Sequence, residues 1–348
     1  MTVQPEAASW RKPVTIRTIA DRAGVHASTV SRVLRHGSQS TSERARQIRA
    51  IAHELGYRPN PGAASLRSRQ SRTLGVLVPR LTDFVMAALY EAIDESAIAS
   101  GYQTVVAGTA DVYEEQIKRA DMMLARGVDG LLIADAHPDE RYVAWVEAIG
   151  VPFLLVIRQA GNRVAVTGDD YLGGTLAGTH IADLGHERVA ILAGLEWSSA
   201  NIDRAQGCVD ALRARGIAIA DDMVQTCALD PHSGRAAMER LLDRDRAIDA
   251  VFAVDDFTAI GASLALREHG LRVGSEVALV GYNDVQIAAA FDLTTVRVPL
   301  RSIGSIAARL LLDVMANRKV ESVRLAPELI VRGSSHRTVK RRNSRPQL

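Results

Sequence analysis

Only two cysteines, Cys208 and Cys227, occur in the 348-residue chain. Two cysteines cannot build a disulfide framework or supply a four-ligand zinc site, and isolated thiols, buried or at the surface, are the ordinary reading. Long apolar runs are missing too. Val151–Ile157 is among the longest, far short of the ~20 residues that a membrane helix needs. No apolar core stands behind a basic start between Met1 and Trp10, so no secretory signal is expected and the chain is expected to act in the cytoplasm. The usual marks of catalysis are also absent. No Gly-x-Ser-x-Gly elbow, His-x-x-x-His or His-Glu-x-x-His occurs. Gly168-Asp169-Asp170-Tyr171-Leu172-Gly173-Gly174-Thr175 spaces its glycines like a P-loop, but Gly174 holds the lysine position, so phosphate cradling is not expected. The histidines are scattered, and His180 and His186 read as structural. No catalytic residue, metal ligand or cofactor is expected, and the chain is not read as an enzyme.

What is present is a segregation of charge. Residues 1–72 hold 13 Lys and Arg against 4 Asp and Glu, a net +9, which leaves 29 against 36, a net −7, for residues 73–348. A solvated charged face explains a few arginines but not this division. A basic head on an acidic body suits a polyanion-binding head, and nucleic acid is the expected partner.

Along the chain, residues 1–13 read as disordered. Helical spacing of apolar residues follows at about 16–24, 27–35 and 42–56, through Ile16, Ile19 and Ala20, then Val30, Val33 and Leu34, then Ile48, Ile51 and Leu55. Gly24 lies where a tight helix-to-helix turn needs it. Ser40-Thr41-Ser42-Glu43 offers N-cap hydroxyls, Ser40 and Glu43 having capping-box spacing. Gly56 is a plausible C-cap, and Pro59 and Pro61 stop further helix. Past the polar, basic linker 57–72, short β-rich runs (74–79, 103–107, 128–134, 153–157) alternate with helical stretches, and a second such series runs through 189–192, 223–226, 250–254 and 277–281. Alternation of this kind implies parallel sheets covered by helices on both faces, and two series imply two similar lobes with a ligand cleft between them, outside the carboxyl ends of the strands. A helix at 300–317 and one strand at 322–331 are expected to return to the first lobe. The tail 336–348 is basic and reads as disordered, and without an apolar heptad it is not expected to form a coiled coil.

Ala27-Ser28-Thr29-Val30-Ser31-Arg32-Val33-Leu34-Arg35 has the make-up of a major-groove helix: Val30, Val33 and Leu34 inward, with Ala27, Ser28, Ser31 and Arg32 free to face DNA. Arginine binds guanine bidentately. Thr15-Ile16-Arg17-Thr18-Ile19-Ala20, Ala23-Gly24-Val25-His26-Ala27-Ser28-Thr29-Val30-Ser31-Arg32-Val33-Leu34 and Leu55-Gly56-Tyr57-Arg58-Pro59-Asn60 closely resemble the head of the LacI/GalR family of bacterial transcriptional regulators. The likeness continues through Ala63–Leu66, Ser71–Pro79, Gly127–Leu131, Leu184-Gly185-His186, Gly270–Val273, Val280-Gly281-Tyr282 and Leu293–Val296, and covers about residues 14–333.

The resemblance implies an all-α helix-turn-helix headpiece (14–60), a hinge helix (61–72) and an α/β two-lobed, periplasmic-binding-protein-like effector domain (73–335) built on two parallel doubly wound sheets. It also implies a homodimer on a pseudo-palindromic double-stranded operator, acting as a repressor under control of a sugar-like small molecule. Ala27, Ser28 and Arg32 occupy the family's base-reading positions. Thr15, Thr29, Ser31, Tyr57 and Asn60 lie in the matching segments and are expected at the DNA as well. Leu66 stands where the family inserts a hinge leucine into the minor groove, flanked here by Arg67 and Arg69, and a linker leucine packing on its dimer mate is the alternative. Three departures stand out: His26 in place of a capping serine, which is expected to weaken that cap, Ala64 in place of a hinge arginine, and Arg44 in place of a threonine.

For the effector, Arg204 matches the family's ligand-contacting arginine. Asp255 and Asn283 follow strand ends where the family often has the amide first and the aspartate second, so the two appear exchanged. Asp83, Val85 and Met86 fall in a stretch that is usually more aromatic, and Arg158, Tyr171 and Trp197 complete the expected effector site. Each has a plainer role: an ion pair on a helix for Arg204, N-caps for Asp256 and also Asp255, lobe packing for Trp197. Two rivals remain: a solute-binding protein of a transport system, in which the basic head has no part, and a constitutive DNA-binding regulator without an effector.

Overall fold

The computed structural model describes residues 14–35, 42–57 and 70–335. The expected disordered ends 1–13 and 336–348, the stretch 58–69 with Asn60, Ala64, Leu66, Arg67 and Arg69, and Ser40 lie outside the described residues. Two compact units meet in sequence between Arg69 and Gln70.

The first unit is helical. Thr15 caps α1 (Ile16–Ala23), its Oγ accepting the Thr18 amide while Thr18 Oγ accepts the Thr15 amide at 3.4 Å. This is a capping box with threonine as the reciprocal partner. Gly24, at φ +61°, ends the helix in the left-handed region that glycine occupies at little cost. His26 precedes α2 (Ala27–Arg35) and takes over the cap: its Nδ1 accepts the Ser28 amide at 3.4 Å and lies 2.8 Å from Ser28 Oγ. The histidine expected to weaken this cap therefore supplies an acceptor of its own. Helix α3 (Glu43–Glu54) is capped by Ser42, whose Oγ accepts the Ala45 amide at 3.3 Å. Ile19, Ala20, Val30, Ile48 and Ala52 form the small core, with Val33, Leu34, Leu55 and Tyr57 packed around it.

The second unit has two lobes. In the first, β1 (Thr73–Val78), β2 (Gln103–Gly108), β3 (Gly130–Ile133), β4 (Phe153–Val156), β5 (Ala165–Gly168) and β11 (Val323–Leu325) form a sheet in the order β11-β5-β4-β3-β1-β2. Helices α4 (Phe84–Ala99), α5 (Tyr113–Ala125), α6 (Arg141–Ile149) and α12 (Leu300–Met315) belong with it. In the second, β6 (Val189–Gly194), β7 (Val224–Thr226), β8 (Ala250–Ala253), β9 (Ala278–Asn283), β10 (Thr294–Arg297) and β12 (Glu328–Ile330) follow the matching order β12-β10-β9-β8-β6-β7. Its helices are α7 (Asp170–Asp183), α8 (Ser199–Ala214), α9 (Pro231–Arg244), α10 (Asp256–Glu268) and α11 (Gln286–Ala290). Among the described residues every strand pairing is parallel except β10 with β12. Both faces are covered, so strands such as β3 and β8 are buried along their whole length.

The single strand expected at 322–331 is two. Pro327 lacks the amide that a continuous ladder needs, and the chain changes sheets there: β11 joins β5 in the first lobe and β12 joins β10 in the second. The chain thus passes between lobes three times, from β5 to α7, from β10 to α12 and from β11 to β12. At the start of the unit, Asp129 holds the chain before β1: the Ser71 amide and hydroxyl donate to Oδ1 at 2.9 and 3.2 Å and the Arg72 amide to Oδ2 at 2.7 Å.

Gly174, at the lysine position of the P-loop-like spacing, serves helix contact. A Cβ on Gly174 of α7 would meet the Arg204 carbonyl oxygen at 1.9 Å, and one on Gly207 of α8 would meet that of Tyr171 at 2.1 Å. The two helices touch backbone to backbone.

Candidate functional site

On the first unit, Ser28 and Arg32 are exposed on α2, with Ala27, Thr29 and Ser31 partly so, while Val30 is buried beneath them. The helical period places these polar residues on one side and the core on the other. Arg32 makes no hydrogen bond or ion pair among the described residues, so its guanidinium fork is available. Thr15 is exposed and engaged as the α1 cap. Tyr57 is partly buried against the helical core.

On the second unit, a cavity of about 550 Å³ opens between the lobes. Its walls come from the carboxyl ends of six strands, three from each lobe: Arg80, Asp83 and Phe84 after β1, Asp111 after β2, Arg158 after β4, Trp197 after β6, Asp230 after β7, and Asp255 and Phe257 after β8. Open parallel sheets bind ligands at this end. Two aromatic bridges cross the cleft. Phe84 and Phe257 lie with ring centroids 5.4 Å apart. Trp197 meets His137 at 4.9 Å and the Arg158 guanidinium at 5.0 Å. Arg158 is itself held by both oxygens of Asp111, at 2.7 and 3.3 Å.

Three wall carboxylates cap helices. Asp83 accepts the Val85 amide at 2.9 Å, Asp230 the Ser233 amide at 2.8 Å, and Asp255 the Phe257 and Thr258 amides at 2.9 and 3.2 Å. The cap of α10 is therefore Asp255. Asp256, expected to be the cap, turns inward and accepts the Val285 amide at 2.9 Å and the Thr295 hydroxyl at 2.6 Å. Burial pushes Asp83 above its usual range. Burial, and then the negative charge of Asp83, push Asp255 up to about 6.

The structure brings Asp83, Arg158, Trp197 and Asp255 together on the wall. Asn283 stands beside them, donating through Nδ2 to Asp255 Oδ2 at 3.0 Å. Arg204 is 6% exposed and engaged in a buried network. Its Nε donates to Asp170 at 2.8 Å, its Nη1 to the Val254 carbonyl at 3.0 Å, and its guanidinium lies 3.9 Å from the Tyr282 ring centre. Val85 and Met86 are buried in the first lobe's core. Tyr171 is exposed, its hydroxyl donating to Asp210 at 3.1 Å. Reading the sequence missed Phe84, Asp111, Asp230 and Phe257 as wall residues. The available signal is positional: each follows a strand end, and Phe84 and Phe257 stand one and two residues after a capping aspartate. Among the described residues no group of three or more His, Cys, Asp or Glu is placed to hold a metal, and no helix is long and apolar enough to cross a membrane.

Burial holds Asp135 at about 6, Asp255 at about 6 and Asp256 at about 7. For a carboxylate raised on folding, the stabilising contribution is complete below the unfolded value and is lost as pH rises through the folded one. Without ligand, the Tm is therefore expected to fall between pH 5 and pH 8. A Tm that rises across that window in a buffer-matched melting series contradicts the burial of these groups.

Residues 15–60 match the family of bacterial regulatory proteins, lacI family, and residues 71–333 match the periplasmic binding proteins and sugar binding domain of LacI family. The chain belongs to the LacI family. The HTH-type transcriptional regulator CelR of Thermobifida fusca is 33% identical over 339 residues, covering 93% of this chain and 99% of CelR. The HTH-type transcriptional repressor PurR of Klebsiella pneumoniae is 29% identical over 328 residues, covering 92% and 96%. Among solved structures, the lac repressor dimer bound to operator and the anti-inducer ONPF superposes with a TM-score of 0.87 at 28% identity, over 93% of this chain and all of that one. The CelR–cellobiose complex superposes with a TM-score of 0.72 at 31% identity, over 92% and 99%. The LacI-family headpiece is thus the described helical unit, and the two-sheet unit is the family's sugar-binding domain. This LacI-family chain is a DNA-binding transcriptional regulator under small-molecule control, and the relatives named are regulators of transcription.

Proposed function

We propose that the chain is a homodimeric repressor that reads a pseudo-palindromic operator through α2 and releases or holds it according to a sugar-like molecule in the interlobe cleft. The carrying observation is the cavity itself. Six strand ends, three from each lobe, converge on it and line it with capped carboxylates and with aromatic rings supplied by both lobes. A ligand that touches both lobes binds one relative arrangement of them better than another, and such differential binding shifts the population. CelR with cellobiose and the lac repressor with operator and ONPF supply the precedent. The role is regulatory and not enzymatic, and its place is the cytoplasm, on nucleoid DNA.

In this reading Ser28 and Arg32, with Ala27 beside them, face base edges. Arg32→Ala is expected to lower specific operator affinity by about 1–3 kcal/mol, the worth of a bidentate base contact. Anisotropy titrations against operator and scrambled duplexes check it, and equal loss on both duplexes reduces Arg32 to a phosphate contact. The division of labour is tested by deleting residues 1–72. DNA binding is expected to vanish while ligand binding in the cleft survives, and specific operator binding by the truncated protein overturns the assignment.

A further inference from the structure

The cleft is poor in donors. Four carboxylates, those of Asp83, Asp111, Asp230 and Asp255, face two cations, Arg80 and Arg158. Arg158 is consumed by Asp111 through two hydrogen bonds. Arg80 is exposed and enters no ion pair among the described residues. Arg204, whose charge reaches both Asp83 and Asp255, is engaged with Asp170 and the Val254 carbonyl. Asp83 and Asp255 line the same cavity on either side of the 5.4 Å contact between Phe84 and Phe257, and neither enters an ion pair among the described residues. Behind Asp255, Asn283 is 5% exposed and its Oδ1 has no hydrogen-bond partner among the described residues. The same amide donates through Nδ2 to Asp255, so an unmet acceptor lies directly behind that carboxylate. Phe84, Phe257 and Trp197 add π faces, which attract cations as well as the apolar face of a ring.

We propose that the cleft takes a polyol carrying a positively charged amine, an amino sugar, and discriminates against sugar acids and sugar phosphates. An ammonium between Asp83 and Asp255 supplies three donors to two groups that accept, and it removes the repulsion between the two carboxylates. A phosphate or carboxylate placed there meets like charge, and against the four wall carboxylates Arg80 is the one wall cation without an ion pair among the described residues. The proposal rests on the cleft being the effector site.

The test is calorimetry on the intact protein with matched sets in the gluco, galacto and manno configurations: hexosamine, neutral hexose, uronic acid and hexose 6-phosphate. In at least one configuration the hexosamine is expected to bind about tenfold or more tighter than its neutral parent, the difference between a charged and a neutral hydrogen bond. The acids and phosphates are expected to bind more weakly than the parent. Asp255→Asn is expected to erase the preference, and Asp83→Asn does so independently; asparagine caps a helix as well as aspartate, so both variants keep the fold. Hexosamine affinity is also expected to rise from pH 5 to pH 7 as Asp255 ionises, with Asp83, Asp256 and Arg204 the charged groups around it. A neutral hexose that matches its amine, or an anion that binds tighter, overturns the charge preference and leaves the cleft as the effector site. Binding that is indifferent to both variants, or no binding in any class, overturns the cleft reading and the preference together.

Discussion

Arg204→Ala is expected to lower the unfolding free energy by about 3–5 kcal/mol, the usual cost of stranding one partner of a buried ion pair. Asp170 is 7% exposed, and burial already pushes its carboxyl above the usual range against the pull of Arg204. With the guanidinium gone, that carboxylate keeps, among the described residues, a long contact to the Tyr282 hydroxyl, at 3.4 Å, and the Val254 carbonyl loses the Arg204 donor. Asp170 then takes up a proton or the local packing opens. Urea denaturation of the intact protein reads the loss, and a change under about 1 kcal/mol rules out the buried pair. Pairing Arg204→Met with Asp170→Leu separates the pair from its setting, since removing both charges is often neutral where removing one is not. The double variant is expected to recover most of the loss. Family resemblance gives Arg204 a ligand contact, but its three interactions point inward, so any missing effector response in Arg204→Ala has to be measured on the folded fraction.

Gly174→Ala is expected to be comparably severe, about 3 kcal/mol, at the upper end of overpacking costs. The added carbon would sit 1.9 Å from a backbone oxygen of α8, which no rotamer change relieves. Helices α7 and α8 must separate, and Arg204 and Asp170, one on each helix, move apart with them. Gly108→Ala is the control: its nearest atom, the Pro79 carbonyl oxygen, lies 3.7 Å from the added carbon, an ordinary contact. Thermal melts that show equal, small shifts for both variants would contradict the backbone contact between the two helices.

Much of this fold is legible in the chain because local rules agree with the global one. The apolar runs that became β1, β3, β4, β8 and β9 are bounded by glycines, prolines or capping aspartates, and the helices between them show their period. Strands β5 (Ala-Val-Thr-Gly) and β10 (Thr-Thr-Val-Arg) and helix α11 (Gln-Ile-Ala-Ala-Ala) escaped because each holds a single large apolar residue and so makes neither an apolar run nor a period. The break at Pro327 is written in the sequence, but which sheet receives each half depends on neighbours far away in the chain. The cleft was legible at Asp83 and Asp255, since a capping aspartate after a strand marks the ligand end of a parallel sheet. It was not legible at Val85 and Met86. Which side of α4 faces the cleft is set by where the helix begins, and with Asp83 as cap it is Phe84 that reaches the cavity while the next two residues turn into the core. The rings that meet across the cleft come from different lobes, a pairing that no local pattern contains.

Asp129 has a mechanical consequence. Two bodies joined by one thread swivel freely, but three chain passes confine the lobes to bending about a restricted axis. A force applied at the cleft mouth therefore acts as torque on the first lobe. Because Asp129, just before β3, grips the amides of both Ser71 and Arg72, these two residues are pinned to the first lobe. Any rotation of that lobe carries Ser71 and Arg72 with it instead of being lost in a loose joint.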